Sequence, residues 1–338
     1  MVVMSSVIPK GSTVLVTGVN GYIASHVADK LLAAGFKVRG TVRSLHKADW
    51  VFERFDTLYG KGRFSCVEVP DMVADGAFDE AVKDMYGICH LASIVSFSDK
   101  PEEVIPQTIR GAVNILTSAR KEPSVKSVVF TSSSVAAQTP PPDVEMTITK
   151  DTWNDAAVKA AWGPDANPFD VYAASKTEAE QAFWKNVHAT SPSFQVTSVM
   201  PGATFGEITQ PGGQDTSSTA SWLNALWKGD SSFVFQISPF WYVNVNDVAE
   251  LHVSALIDSS VNGQRIFCSA APFLWNEALA LFRKDNPERQ FPEDKKGEGR
   301  GASHMPNEEA EDLLRRHYGH GWTGLEQTLR QNTAILKI

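Results

Sequence analysis

The feature that most constrains the fold is a glycine turn close to the N-terminus. Residues 13–17 (TVLVT) form a short β-branched run, and residues 17–24 read Thr17-Gly18-Val19-Asn20-Gly21-Tyr22-Ile23-Ala24. Residues 21–35 then carry Ile23, Val27, Leu31 and Ala34 at helical spacing and stop at Gly35, and 36–42 (FKVRGTV) is again strand-like. A strand, a tight glycine turn, a helix and a second strand make a βαβ unit, which opens a doubly wound parallel sheet. Gly18 permits the turn, and Gly21 lets a ligand approach the backbone. Ala24 is small enough for close packing of helix on strand. The helix start then presents N–H groups and the positive end of its dipole, which suit a pyrophosphate. Thr17, Gly18, Asn20, Gly21, Tyr22 and Ile23 are therefore candidate dinucleotide-binding residues.

The alternation continues along the chain. Strands are expected at 64–69, 87–91, 127–131 and 194–200, with helices at about 46–59, 76–85, 101–120 and 170–189. Near-continuous apolar strands separated by amphipathic helices indicate an α/β sheet of Rossmann type, covered on both faces. After Pro201 the rhythm breaks at the polar loop 206–220. The predicted organisation is a dinucleotide-binding domain over 1–200 and a smaller substrate-binding part over 201–240 and 270–338. Strands 241–246 and 264–268 are expected to return to the large sheet.

Composition narrows the class. In 338 residues there are 31 Lys and Arg against 39 Asp and Glu, a net charge of −8 with no basic block. That disfavours nucleic-acid binding, which needs clustered cations for phosphate neutralisation. Cys66, Cys89 and Cys268 are too few and too scattered for a disulfide framework or a metal knuckle. His90, His188 and His252 lack metal-ligand spacing, so no metal is expected. No leader or membrane-spanning run is legible, and a cytoplasmic location is the expectation.

Two further patterns point to chemistry. Span 36–48 contains no acid but holds Lys37, Arg39, Arg43 and Lys47. An acid after the second strand would hold a ribose hydroxyl; a guanidinium there suits a 2′-phosphate. Arg43 and Lys47 are nearest the loop tip, Arg39 less so, and the expected cofactor is NADPH. Residues 171–176 read Val171-Tyr172-Ala173-Ala174-Ser175-Lys176, so Tyr172 and Lys176 share one helix face. Hydride addition to a carbonyl creates an alkoxide that needs a proton. A phenol can give it, and a nearby ammonium favours the phenolate against an ordinary pKa near ~10. Strand 127–131 ends in the hydroxyl cluster Thr131-Ser132-Ser133-Ser134 at the edge where such sheets bind ligands. A serine there can polarise a carbonyl.

In order along the chain, VTGVNGYIASHV (16–27), VRGTVRS (38–44), HLASIVSFS (90–98), TSSS (131–134), VYAASKTEAE (171–180), VMPGATFG (199–206) and VNVNDVAELHV (243–253) resemble the extended short-chain dehydrogenase/reductases. Within them the chain is similar to the dihydroflavonol-reductase-like group and to fungal NADPH-dependent aldehyde reductases. The resemblance implies Tyr172 as proton donor, Lys176 as its electrostatic partner and ribose ligand, and Ser133 as the polarising hydroxyl. It also implies that Asp71 and Met72 flank the adenine, Ala92 and Ser93 line the nicotinamide ribose, and Pro201 and Gly202 border the nicotinamide. Ala24 replaces a glycine usual in this family.

Val95, Phe97, Phe169, Trp222, Leu226 and Phe240 are candidate substrate-pocket residues, and such a lining favours apolar carbonyl compounds such as ketoesters. The expected activity is an NADPH-dependent aldehyde or ketone reductase, monomeric or homodimeric. The alternatives are a hydroxysteroid or nucleotide-sugar enzyme of the same superfamily, or a non-catalytic NADP sensor.

Overall fold

The structure is a computed structural model and describes residues 6–96, 98–210, 218–238 and 240–336. In chain order its first half contains β1 (Thr13–Val16), α1 (Tyr22–Ala33), β2 (Lys37–Val42), α2 (Asp49–Tyr59), β3 (Phe64–Glu68), β4 (Gly87–His90), α3 (Pro101–Ala119), β5 (Ser127–Thr131) and β6 (Met146–Thr147). Then come α4 (Asp155–Ala161), α5 (Pro168–Thr190), β7 (Gln195–Pro201), β8 (Ala203–Phe205), α6 (Ala220–Trp227), β9 (Trp241–Asn244) and α7 (Val245–Ile257). The chain closes with β10 (Arg265–Cys268), β11 (Ala271–Pro272), α8 (Trp275–Asp285), β12 (Ser303–His304), α9 (Glu308–Tyr318) and α10 (Leu325–Thr333).

Seven strands form one sheet in the order β10-β7-β5-β4-β1-β2-β3, with every neighbouring pair parallel. The order reverses between β1 and β4, which is where a doubly wound sheet opens a ligand crevice at its C-terminal edge. One face is covered by α1, α7 and α9, whose Val27, Leu31, Val248, Leu251 and Leu314 join a single apolar core with the strands. On the other face α3 and α5 bring Ile115, Leu116, Phe183 and Trp184 against Ile88, Val128 and Phe130.

Three expectations are corrected. Segment 76–85 is a chain of turns rather than a helix, with Gly76 and Asp84 at positive φ. Strand 241–244 does not return to the large sheet. It pairs with 203–205 and 271–272 in a separate three-stranded sheet. The cause is local: a Cβ on Gly202 would stand 2.4 Å from the Trp241 carbonyl oxygen, so only glycine lets these backbones cross. Tyr242 then packs on Phe273 beside Phe205 and Trp275 instead of under a sheet helix. Finally, residues 270–338 are not all part of the smaller unit, because Leu313 and Leu314 of α9 are buried in the large core.

Buried histidines tie stability to pH. His252 is fully buried; its Nδ1 lies 2.7 Å from the Val248 carbonyl and its Nε2 lies 2.8 Å from Thr131 Oγ1. This arrangement fixes a neutral ring that donates to Val248 and accepts from Thr131. Burial holds His252 down at about 4, and His26 and His90 at about 4 and about 3. An unfolded histidine binds a proton below ~6.5. Stability is thus complete above that value and declines as pH falls towards the folded values. The midpoint of thermal unfolding is expected to drop steadily from neutral pH to about pH 5, and less steeply in His252→Gln. A midpoint that stays level over that window would refute this.

Candidate active site

All seven parallel strands end at one edge, so the segments after β1, β4, β5 and β7 converge there. The glycine turn is held by its neighbours. Gly18 sits at φ +66°, its N–H donates to Thr41 Oγ1 at 3.2 Å, and Val19 N–H donates to the Thr41 carbonyl at 3.0 Å. A Cβ on Gly18 would meet Ala92 Cα and Cβ at 3.4 Å, so the turn lies directly against the segment after β4. Thr17 is fully buried and faces inward. Its hydroxyl accepts from the N–H groups of Leu91 and Ala92, both at 2.9 Å, and lies 3.0 Å from His90 Nδ1. Thr17 therefore braces the two loops rather than facing a ligand.

Helix α1 begins at Gly21 with no side-chain cap and no acid in its first turn. Gly21 is exposed and Asn20 half-buried. Such a start suits a bound anion. The Tyr22 side chain turns away into a cluster with Ile208, Ala220 and Val245, against which Ile23 packs, so at these two positions the turn offers backbone. Arg43 follows the last residue of β2, and Arg43 and Lys47 are both exposed. Arg39 is committed elsewhere, donating to the carbonyls of Ala81 and Lys83 at 3.2 and 2.8 Å. Beyond β3, Asp71 accepts from Val73 N–H at 2.9 Å. Asn114 donates to the Met72 carbonyl at 3.1 Å and to the Ala74 carbonyl at 2.9 Å, which fixes that loop on α3. These residues fit a dinucleotide: a glycine-cleared turn, an open helix start and cations beside it.

Helix α5 carries Tyr172 and Lys176. Asn167 caps it by accepting from Phe169 N–H at 2.9 Å and Asp170 N–H at 3.1 Å, and Pro168 takes the first turn, where its missing N–H costs nothing. Ser133, which begins the short turn after β5, lies close enough to Tyr172 to act on its phenol. Lys176 is buried one turn later, and its Nζ donates to Ser93 Oγ at 2.9 Å. The structure therefore brings Ser133, Tyr172, Lys176 and Ser93 together.

Burial raises the Tyr172 phenol above its usual value, and the Ser133 hydrogen bond is what opposes that rise. Lys176 donates to Ser93, and burial pushes its ammonium down to about 8, with the Glu180 carboxylate resisting.

The pocket candidates separate. Phe169 lies one turn before Tyr172, and its ring stacks on Phe233 at 6.0 Å and 17°; Phe233 meets Trp222 edge-on at 6.3 Å. Phe233 is 41% exposed, and its isolated place in a turn gave no sequence signal. Phe240 is partly buried beside this group. Leu226 is a correction: it is fully buried among the side chains of α6 and α8, so it cannot meet a substrate. Val95 is exposed after β4, and Phe97 lies outside the described residues. Pro201 is buried at the end of β7, and Gly202 has the packing reason given above.

Among the described residues, Asp247, Glu250 and His320 bring ligand-type atoms within 4.8 Å of one another. Lys30 Nζ already lies 2.7 Å from Glu250 Oε1, and Thr323 donates to both Asp247 oxygens, so the group reads as an ion-paired tether. No helix among the described residues is long and apolar enough to cross a membrane.

A parallel sheet of this order, entered through a glycine turn, is the architecture of the extended short-chain dehydrogenase/reductases. The chain belongs to that group: residues 14–267 match the NAD dependent epimerase/dehydratase family. It is 40% identical over 332 residues to aldehyde reductase 2 of Sporidiobolus salmonicolor, covering 96% of each chain. To a ketoreductase of Penicillium rubens it is 39% identical over 337 residues, covering 97% of each. Among solved structures it superposes on yeast methylglyoxal/isovaleraldehyde reductase complexed with NADPH with a TM-score of 0.83 and 29% identity, covering 96% of this chain and 98% of that one.

Proposed function

We propose that the chain is an NADPH-dependent carbonyl reductase that converts aldehydes and ketones, ketoesters among them, to alcohols. The observation that carries this is the contact of Ser133 with Tyr172, with Lys176 one helical turn further, beside the glycine turn. The relatives named as an aldehyde reductase and a ketoreductase support it. NADPH, when bound, supplies the hydride.

The chain's own residues do the rest. The Ser133 hydroxyl donates a hydrogen bond to the substrate carbonyl oxygen and polarises it. The Tyr172 phenol, protonated at neutral pH as an ordinary phenol is, gives its proton to that oxygen as negative charge develops. Lys176 holds the Ser93 side of the site and offers positive charge next to the phenol. Gly18, Asn20, Gly21, Tyr22 and Ile23 would receive the pyrophosphate through backbone, Asp71 and Met72 would flank the adenine, and Ala92, Ser93, Pro201 and Gly202 would border the nicotinamide riboside. Phe169, Phe233, Trp222 and Phe240 form an aromatic wall that favours substrates with an apolar body.

The test is oxidation of NADPH or NADH with an aromatic aldehyde, a β-ketoester, an α-diketone, a flavanonol and a nucleotide sugar. Turnover of the aldehyde or the ketoester with NADPH is expected, and none of the nucleotide sugar. Tight NADPH binding with no turnover of any carbonyl compound would leave a binding protein and refute the reading.

A further inference from the structure

Glu180 lies on α5, four residues beyond Lys176, with no exposed surface. A buried carboxylate is costly unless every lone pair is used. Here Ser132 Oγ donates to Oε2 at 2.8 Å and Ser198 Oγ donates to Oε1 at 2.7 Å. Arg265 closes a two-point pair, with Nε 3.0 Å from Oε1 and Nη2 3.0 Å from Oε2, and Trp184 Nε1 reaches Oε1 at 3.3 Å. Arg265 is fixed in turn by the Lys150 and Thr152 carbonyls, at 2.7 and 2.8 Å, and its guanidinium lies 3.7 Å from the centre of the Trp153 ring. One carboxylate thus joins α5 to the ends or middles of β5, β7 and β10.

Buried ion pairs of this kind are seldom the most stable solution, since apolar residues of equal volume often serve as well. What this one adds is direction at the end of β5. Thr131 is held towards α7 by His252, and Ser132 is held towards α5 by Glu180. Ser133 is the next residue, extended at φ −156° and ψ 151°, before the chain turns away. With both preceding side chains pinned to opposite faces, Ser133 has little freedom left.

We infer that Ser132 and Glu180 are positioning residues that hold Ser133 against Tyr172, acting through the backbone at the end of β5. The inference rests on the carbonyl-polarising role proposed for Ser133. A displacement of about 1 Å at a reacting group can cost up to 100-fold in rate.

The test compares Ser132→Ala, Ser198→Ala and Ser133→Ala in the full chain. Ser132→Ala and Ser198→Ala each remove one hydroxyl from the same carboxylate and leave the Arg265 pair intact, but only Ser132 adjoins Ser133. Ser132→Ala is expected to lower kcat about tenfold with the KM for NADPH unchanged and the unfolding midpoint lowered no more than in Ser198→Ala, and Ser198→Ala to keep kcat within about twofold of the parent. If Ser133→Ala is inactive while Ser132→Ala turns over like the parent, the link is wrong and the role of Ser133 stands. Equal losses in Ser132→Ala and Ser198→Ala would also overturn it, as general loosening around Glu180. Full activity in Ser133→Ala would remove the reading on which the inference rests.

Discussion

Tyr172→Phe is expected to bind NADPH as the parent does and to lose about 1,000-fold in kcat, within the range a positioned proton donor supplies. A loss of that size corresponds to about 4 kcal/mol of transition-state stabilisation. The substitution removes one oxygen. The ring stays on α5 beside a well-packed helix face, and the cap at Asn167 and the buried Val171 and Ala174 are untouched. The Ser133 hydroxyl loses its phenol partner but remains in place at the end of β5. The dissociation constant for NADPH, read in parallel by fluorescence titration, is expected to move less than about threefold, because the proposed cofactor contacts run through the glycine turn rather than through the phenol oxygen. If Tyr172→Phe keeps more than about a tenth of parent turnover, protonation by this residue is not part of the rate-limiting chemistry.

What could be read from the sequence follows a physical division. Local chemistry was legible. The glycine turn, the β-branched strands and the four-residue spacing of Tyr172 and Lys176 each express a rule about neighbours along the chain. What the sequence did not disclose depends on residues far apart. Arg265 meets Glu180 across 85 positions and Thr131 meets His252 across 121. No pattern of spacing announces either contact.

The smaller part shows the same limit from the other side. From sequence, Phe240 reads as a pocket residue and 241–246 as a strand of the large sheet. Their fate is decided by Gly202, which admits the Trp241 backbone, and by Phe273 and Trp275, which arrive about thirty residues later to complete the packing around Tyr242. Leu226 is a simpler case. Helical spacing puts it on an apolar face but does not tell which side of that face meets solvent. Phe233 leaves no sequence signal because a lone aromatic in a turn has no period, and its stacking on Phe169 brings it next to α5.

Cofactor choice tests the other half of the site. Arg43→Asp is expected to lower the preference for NADPH over NADH by about 100-fold, measured as the ratio of kcat/KM values and checked against the two dissociation constants. Thr41 places the residue: its carbonyl and hydroxyl take the N–H groups of Val19 and Gly18, so the chain two residues further on stands beside the turn. At that point the parent offers a guanidinium, whose planar fork can take two oxygens of a 2′-phosphate. The substitution removes that pairing and adds a charge that repels the phosphate. The new carboxylate can instead accept from a ribose 2′-hydroxyl, so NADH is expected to gain while NADPH loses. The loop itself stays anchored, because Leu45 N–H donates to Glu68 Oε2 at 3.1 Å whatever residue stands at position 43. Lys47→Ala is expected to change the ratio only about threefold, since an exposed ammonium on a flexible stem gives a weak, screened contact. An unchanged ratio in Arg43→Asp, with turnover intact, would move the 2′-phosphate away from the end of β2 and leave the basic span 37–47 as a solvated edge.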